Sequence, residues 1–239
     1  MVGLGTIINT AAILVGGLCG ALFGGLLHES AQDTLTKVCG VSTLFIAITG
    51  ALEEMIRVEN GLIVTSGSML LIGCLAIGAL IGEVFNIELA FERFGEWLKL
   101  KSGNAGDQGF VNAFVTASLT VCIGAMAIVG SIQDGLTGDY SVLATKAVLD
   151  LIIIMVMSCS MGKGAVFSAI PVAVFQGSIT VLAGFIRPLM TEFALSNLSL
   201  VGNVLIFCVG INLVWGKKIK VANLLPSIVI AVASAFLSF

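Results

Sequence analysis

The stretch VGLGTIINTAAILVGGLCGALFGGLL, residues 2–27, contains no charged side chain. A helix needs about 20 mostly apolar residues to cross the hydrocarbon core of a membrane, and this stretch is long enough. It also lacks the basic n-region and the small-residue cleavage site of a signal peptide. It therefore predicts a membrane span that is retained in the protein.

The whole chain has a similar composition. Hydrophobic residues make up 58% of its 239 residues and charged residues 10%, against about 25% charged residues in a soluble domain. So few charges cannot cover the surface of a folded soluble domain, which disfavours a soluble enzyme or a secreted disulfide scaffold. The formal charge of −3 offers no basic patch for nucleic acid. We therefore expect an all-α, polytopic membrane protein whose main partner is the lipid bilayer.

Eight membrane-spanning helices are the best count. Six follow from uncharged runs at 2–27, 60–82, 108–133, 164–186, 193–216 and 221–239. Two more are predicted at 38–52, preceded by an interfacial turn at 33–37, and at 140–162; seven is the alternative if one of these two is re-entrant. Residues 1–85 then hold spans 1–3, 86–107 a cytoplasmic helix and linker, and 108–239 spans 4–8, in one membrane domain.

The distribution of basic residues predicts the orientation. With eight spans, the odd-numbered loops carry eight lysines and arginines and the even-numbered loops carry three. Cytoplasmic loops of membrane proteins are enriched in these residues. The odd-numbered loops are therefore predicted to be cytoplasmic and both termini to lie outside.

The linker at 86–107 contains an amphipathic pattern. Apolar residues recur at helical spacing on one face: Ile87, Ala90, Phe91, Phe94 and Leu98. Charged residues are expected elsewhere: Glu88, Glu92, Glu96 and Lys99. With Trp97 at the headgroup level, the pattern predicts a helix on the cytoplasmic membrane surface, serving as a linker or as a partner-binding helix.

Span 1 carries Gly16, Gly20 and Gly24 at four-residue intervals. Small residues at this spacing let helix backbones approach closely. The stripe predicts either packing inside the bundle or a face for a homo-oligomer.

Spans 1–3 and 6–8 have matching spacing after a shift of 162 residues. Five spans separate equivalent helices, so the two units would face opposite ways. Inverted repeats of this kind place a polar site near the membrane midplane in many secondary transporters.

Asp150 is the most unusual polar residue, because a carboxylate at the centre of a membrane helix costs about 3 kcal/mol on insertion scales. Lys146 lies four residues earlier on the same helical face and can pair with it. One interpretation is a neutralised pair near the membrane surface, with Lys146 reaching outward. The other is a lining of a solute or ion path.

Further polar residues occur in the central spans. Ser131, Gln133 and Asp134 end span 4, where they form either an ordinary turn or a discontinuous element that meets Asp150. Gln176 lies five residues after Pro171, which is expected to kink span 6. Gln176 then either holds neighbouring helices together by a hydrogen bond or contacts a solute. Asn112 adds a further amide in span 4.

No catalytic or cofactor-binding motif is present. The sequence lacks G-x-x-x-x-G-K-[ST], H-E-x-x-H and G-x-S-x-G. The six cysteines show no C-x-x-C spacing, and His28 is the one histidine, so we expect no metal site and no cofactor. An enzyme is not expected.

Three strings carry a resemblance to a known family: CIGAMAIVGSIQDGLTGD (122–139), KAVLD (146–150) and GKGAVFSAIPVAVFQG (162–177). They resemble the YqgA-like family of bacterial inner-membrane proteins, labelled domain of unknown function 554. The resemblance implies a multi-spanning protein of the bacterial inner membrane, without a known substrate, and it matches the polar positions listed above. The chain departs from the family pattern at Ala125, where proline would be expected.

Two functions are compatible with these features. The first is a secondary transporter or channel-like permease for an ion or small polar solute, with its site on spans 4–6. The second is a non-transporting scaffold or accessory subunit whose buried polar residues fix helix packing. A water-accessible cavity that reaches Asp150 would favour transport, and a sealed interior would favour the scaffold.

Overall fold

The computed structural model describes residues 2–59, 61–123 and 125–236. It confirms an all-α bundle, with one short hairpin of strands β1 (Ile56–Glu59) and β2 (Leu62–Thr65) in the described residues. The helices are α1 (Leu4–Gly24), α2 (Glu29–Met55), α3 (Ser68–Phe85), α4 (Ile87–Lys101), α5 (Phe110–Cys122), α6 (Ala125–Thr137), α7 (Ser141–Met161), α8 (Ala169–Val181), α9 (Ala183–Ile186), α10 (Glu192–Trp215) and α11 (Pro226–Ser234). Short 3₁₀ segments lie at Lys163–Ser168, Arg187–Leu189 and Val221–Leu224.

Six helical segments of the described residues are long and apolar enough to cross a membrane: α1, α2, α3, α7, α10 and Lys163–Val181, which joins the 3₁₀ segment to α8. The number is seven if α5 and α6 form one bent span. Both uncertain spans reach full length: α2 has 27 residues and α7 has 21. The predicted eighth span corresponds to the shorter apolar segment Val221–Ser234, and residues 237–239 of that prediction lie outside the described residues. In the described residues that segment is shorter than a straight span, so the structure supports six or seven full-length spans, near the predicted eight and its alternative of seven.

Two boundaries in the first half of the chain differ from the sequence prediction. Residues 33–37 are helical instead of forming a turn, and the ion pair between Lys37 and Asp33, 2.6 Å apart, spans one turn of α2. Span 3 begins at Ser68 and not at 60, because the preceding residues pair as the hairpin β1–β2. Its turn contains Gly61 at a φ of +78°, a conformation that glycine adopts readily.

Span 4 is broken. The helical segments Phe110–Cys122 and Met126–Thr137 are bent by 62° relative to each other, although Ala125 is not the proline that the family resemblance suggested there. Pro171 was predicted to kink span 6. It instead lies in the first turn of α8, directly after a 3₁₀ segment. A proline is tolerated there, since the first N–H groups of a helix have no partner within the helix.

The glycine stripe of α1 packs inside the bundle. A methyl group on Gly16, Gly20 or Gly24 would overlap the carbonyl oxygen of Leu151, Met155 or Cys159 of α7, respectively. The Ser158 hydroxyl adds a hydrogen bond of 2.8 Å to the Gly17 carbonyl. The stripe therefore brings α1 and α7 together as parallel helices, and the homo-oligomer interpretation of this face is not needed.

Three other helix pairs run antiparallel. In the pair α2–α10, Gly40 lies against Val214 and Gly210 against Leu44. In the pair α3–α11, Gly78 contacts Ser227 and Gly82 contacts Asn223 in the turn before α11, so residue numbers rise in one helix as they fall in the other. The pair α1–α8 is antiparallel for the same reason, since Thr6 contacts Thr180 and Asn9 contacts Gln176. These directions place the predicted odd-numbered loops at one end of the bundle, with α4, and the hairpin at the other. We call these the α4 end and the hairpin end.

Candidate functional site

Asp150 and Lys146 form an ion pair in the interior of the bundle. Asp150 lies at the centre of α7, and the two residues are 3% and 6% exposed. The Lys146 ammonium also donates a 2.8 Å hydrogen bond to the Val121 carbonyl oxygen of α5. Lys146 therefore points inward and does not reach the membrane surface.

The break between α5 and α6 explains this lysine contact. In an uninterrupted helix the Val121 carbonyl would accept a bond from the amide of residue 125. The chain instead turns away after Cys122, and Ile123 has an extended ψ of 125°. The carbonyl that the break releases is the one that binds Lys146.

Asn9 of α1 completes the cluster from a third helix. Its amide nitrogen lies 3.0 Å from Oδ2 of Asp150 and 3.3 Å from Oε1 of Gln176 on α8. Both amides are buried, at 0% and 1% exposure. We call Asn9, Lys146, Asp150 and Gln176 the central polar cluster.

Two polar atoms of the central polar cluster have no hydrogen-bond partner among the described residues. They are the Oδ1 oxygen of Asn9, an acceptor, and the Nε2 nitrogen of Gln176, a donor. Leaving a buried polar group unpaired costs about 1–3 kcal/mol. A cluster built only for packing would be expected to satisfy these atoms.

Asp134 lies apart from this cluster. One interpretation of span 4 required it to meet Asp150, and the two residues are not in contact. Asp134 is fully buried on α6, and its two oxygens accept hydrogen bonds from the backbone N–H groups of Gly3 and Gly5, at 3.1 and 3.0 Å. The carboxylate therefore caps the N-terminus of α1, where a negative charge is favourable.

The other predicted site residues are also separate from the ion pair. The Ser131 hydroxyl donates to the Ala127 carbonyl within its own helix, at 2.6 Å. Gln133 is half-buried, with its Oε1 atom unpaired among the described residues. Asn112 is exposed and lines a cavity at the α4 end.

That cavity has a volume of about 600 Å³ and mixed polar walls. Carboxylates, lysines and amides from α2, α4, α5 and α10 line it, and its apolar wall includes Leu119 of α5. Neither Asp150 nor Lys146 lies in the wall of this cavity or of the two other cavities described for the molecule. Leu119, 4% exposed, precedes the Val121 carbonyl by two residues, so α5 separates the cavity from the ion pair.

Glu88 was expected away from the buried face of α4, but it is 5% exposed. Its carboxylate accepts a 3.0 Å hydrogen bond from the Ala222 N–H and lies 2.9 Å from the Lys217 ammonium, which also pairs with Glu92. Asn223 in turn accepts from the Glu88 N–H at 2.7 Å. The burial of Glu88 follows from these partners, which are more than 100 residues away in sequence.

Burial alone would lower the pKa of Lys217, but the hydrogen bonds and charges of Glu92 and Glu88 raise it above its ordinary value. The ammonium is therefore the stable form at neutral pH. It ties α4 to the loop that precedes α11.

These features define a class: a polytopic helical membrane protein with a broken span and a buried ion pair in its interior. The chain belongs to the family described as protein of unknown function DUF554, whose model matches residues 4–236. This confirms the family resemblance seen in the sequence.

Two relatives illustrate the family. The uncharacterized membrane protein YdfK of Bacillus subtilis (strain 168) is 30% identical over 226 residues, covering 95% of this chain and 93% of YdfK. The uncharacterized protein YqgA of Escherichia coli (strain K12) is 28% identical over 232 residues, covering 95% and 94% of the two chains. No solved structure matches the chain.

Proposed function

We propose that the protein is a secondary permease that moves a small polar solute or ion across the bacterial inner membrane through the central polar cluster. The observation that carries this proposal is the pairing of a buried Lys146–Asp150 ion pair with unpaired polar atoms on Asn9 and Gln176. Ionisable residues inside membrane segments are costly and commonly mark solute or ion paths.

The helix break supports the same proposal. Discontinuous helices form the substrate sites of many secondary transporters, because their free backbone groups can bind polar ligands. Here the released Val121 carbonyl binds Lys146, so movement of α5 against α6 would change the partners of the ion pair. In the described arrangement α5 lies between the central polar cluster and the 600 Å³ cavity, so under this proposal a solute would reach the cluster only after α5 moves.

Thermal stabilisation of the purified protein by a panel of ions, amino acids and amines tests this proposal. A solute present at 100 times its Kd stabilises the folded state by about 2.7 kcal/mol. The variant Asp150→Asn should fold and lose the stabilisation by the active solute. Asp139→Asn, which changes an exposed carboxylate near the hairpin end, should keep it. Equal stabilisation of wild type and Asp150→Asn would contradict a site at Asp150.

A scaffold or accessory subunit is the second candidate, and the closed interior favours it. Asp150 and Lys146 are nearly inaccessible, and none of the three cavities reaches them. Well-packed apolar residues can replace a buried ion pair with little loss of stability or with a gain of about 1–4 kcal/mol. The double variant Lys146→Met with Asp150→Leu should therefore be stable under both candidates. Solute flux into proteoliposomes then separates them: its loss supports the permease, and flux at the wild-type rate excludes this transport site.

A further inference from the structure

A second cavity, of about 680 Å³, forms a groove on the side of the bundle between α4, α5, α8 and α11. Its outer edges are exposed, with Val174 67% and Val229 70% accessible, while Leu119, Ile128 and Leu198 at its base are nearly buried. We call this cavity the lateral groove. Since its edges are continuous with the apolar outer surface of the membrane helices, the groove opens toward the hydrocarbon of the bilayer.

The lateral groove extends from the membrane surface toward the middle of the bundle. Ala90, Phe91 and Phe94 of the interfacial helix α4 line one part, and Cys122 and Ile123 at the helix break line another. Almost every lining side chain is apolar. This shape and chemistry fit a flexible hydrocarbon chain that enters at the level of the headgroups.

Two cations of α4 lie near the residues that line the groove: Arg93 directly precedes Phe94, and Lys101 follows it by two helical turns. Residues 90, 94, 97 and 101 recur at intervals of three or four and share one helical face, which Arg93 borders. Arg93 and Lys101 are exposed, and neither has an ion pair with a carboxylate of the described residues. Trp97 stacks on Phe94, with ring centroids 5.8 Å apart, which joins this face to the groove.

We propose that the lateral groove is a binding site for an anionic phospholipid, with one acyl chain in the groove and the phosphate beside Arg93 and Lys101. The apolar lining provides affinity for the chain, and the two cations provide preference for a negative headgroup. Each basic residue near a membrane surface favours anionic lipid, so two of them predict a preference of about tenfold or more over a zwitterionic lipid. The proposal does not depend on transport through the central polar cluster.

Fluorescence quenching of Trp97 tests the proposal. The chain has two tryptophans, so Trp215→Phe leaves Trp97 as the probe. This full-length variant would be reconstituted in vesicles of phosphatidylethanolamine and phosphatidylglycerol, with brominated acyl chains on one lipid at a time. Brominated phosphatidylglycerol should reach half-maximal quenching at about a tenfold lower mole fraction than brominated phosphatidylethanolamine.

Charge variants provide the matched controls. Arg93→Gln combined with Lys101→Gln should remove the difference between the two lipids, whereas Lys218→Gln, at the same end of the bundle, should keep it. Competition needs no further variant: unlabelled phosphatidylglycerol should restore Trp97 fluorescence at lower mole fractions than unlabelled phosphatidylethanolamine. Equal quenching by the two brominated lipids, or a preference that survives the loss of both cations, would overturn the proposal.

Discussion

Asn9 is the residue that joins three helices at the central polar cluster. It donates to Asp150 of α7 and to Gln176 of α8, while its own helix α1 packs against both. The ion pair alone would leave Asp150 with one neighbour of opposite charge. The amide adds a second hydrogen bond to the carboxylate, which helps to keep its charge in the bundle interior.

Replacing Asn9 should therefore destabilise the protein. Asn9→Leu keeps a similar volume but removes the donor to Asp150 and Gln176, and the expected loss is about 1–3 kcal/mol. Thr10→Val is the matched control, because the Thr10 hydroxyl bonds only to the Thr6 carbonyl of its own helix, at 2.8 Å. The control should change the free energy of unfolding by less than about 0.5 kcal/mol. Unfolding in detergent, followed by circular dichroism, measures both; equal effects would contradict a bridging role for Asn9.

At the scale of elements, the close contact of α1 with α7 depends on glycine. Gly20→Ala would place a methyl group against the Met155 carbonyl oxygen, and the helices would have to separate. We expect a loss of about 1–3 kcal/mol from this overpacking. Gly73→Ala in α3 is the control, since no atom lies within 4 Å of the added methyl group. It should be neutral or stabilise the helix by up to about 1 kcal/mol.

These two variants also test the alternative role of the stripe. If Gly20 instead formed a homo-oligomer face, Gly20→Ala would reduce the oligomer mass in detergent and leave the melting temperature of the monomer unchanged. Light scattering coupled to gel filtration, together with thermal unfolding, separates these outcomes. Internal packing requires the melting temperature to fall.

The contact between α4 and the loop before α11 predicts a pH dependence. Because the pKa of Lys217 is raised in the folded protein, its pairing with Glu88 and Glu92 stabilises the fold at neutral pH. The pKa of Lys217 in the folded protein lies above the ordinary lysine value of about 10.4. The stabilising contribution is lost as the pH rises through this folded pKa. Wild type should therefore lose more thermal stability than Lys217→Met as the pH rises above about 10. Lys218→Met should follow wild type, and a wild-type profile for Lys217→Met would contradict the prediction.

The sequence predicted those features that depend on local spacing. Lys146 and Asp150 are one helical turn apart, so their pairing could be inferred without a structure. Asn9 is 141 residues from Asp150, and no local pattern connects them, although a single asparagine in an uncharged span was a possible signal. The burial of Glu88 was missed for the same reason, because its partners Lys217 and Ala222 are distant in sequence.

At the scale of the molecule, the directions of the helices support the predicted inverted repeat. The repeat relates spans 1, 2 and 3 to spans 6, 7 and 8, which correspond to α8, α10 and α11. In each of these pairs the two helices contact each other and run antiparallel. A two-fold axis in the membrane plane requires this reversal for every pair. Superposition of the two triplets remains the test of the repeat, which stays a prediction.

The same directions lead to a prediction about topology. Eight of the eleven lysines and arginines lie in the predicted odd-numbered loops, which are at the α4 end. Because cytoplasmic loops are enriched in these residues, we expect the α4 end in the cytoplasm. In a cysteine-free background, single cysteines at Ser102 and Lys218 should react with an impermeant thiol reagent only after the cells are permeabilised. A cysteine at Leu62 in the hairpin should react in intact cells. If residues 102 and 218 react in intact cells and residue 62 is protected, the predicted orientation is the wrong way round, while the fold is still compatible with the result. Reaction of residues 102 and 218 from opposite sides would contradict the fold itself, because Lys217 pairs with Glu88 and Glu92 of α4 and so brings both loops to one end.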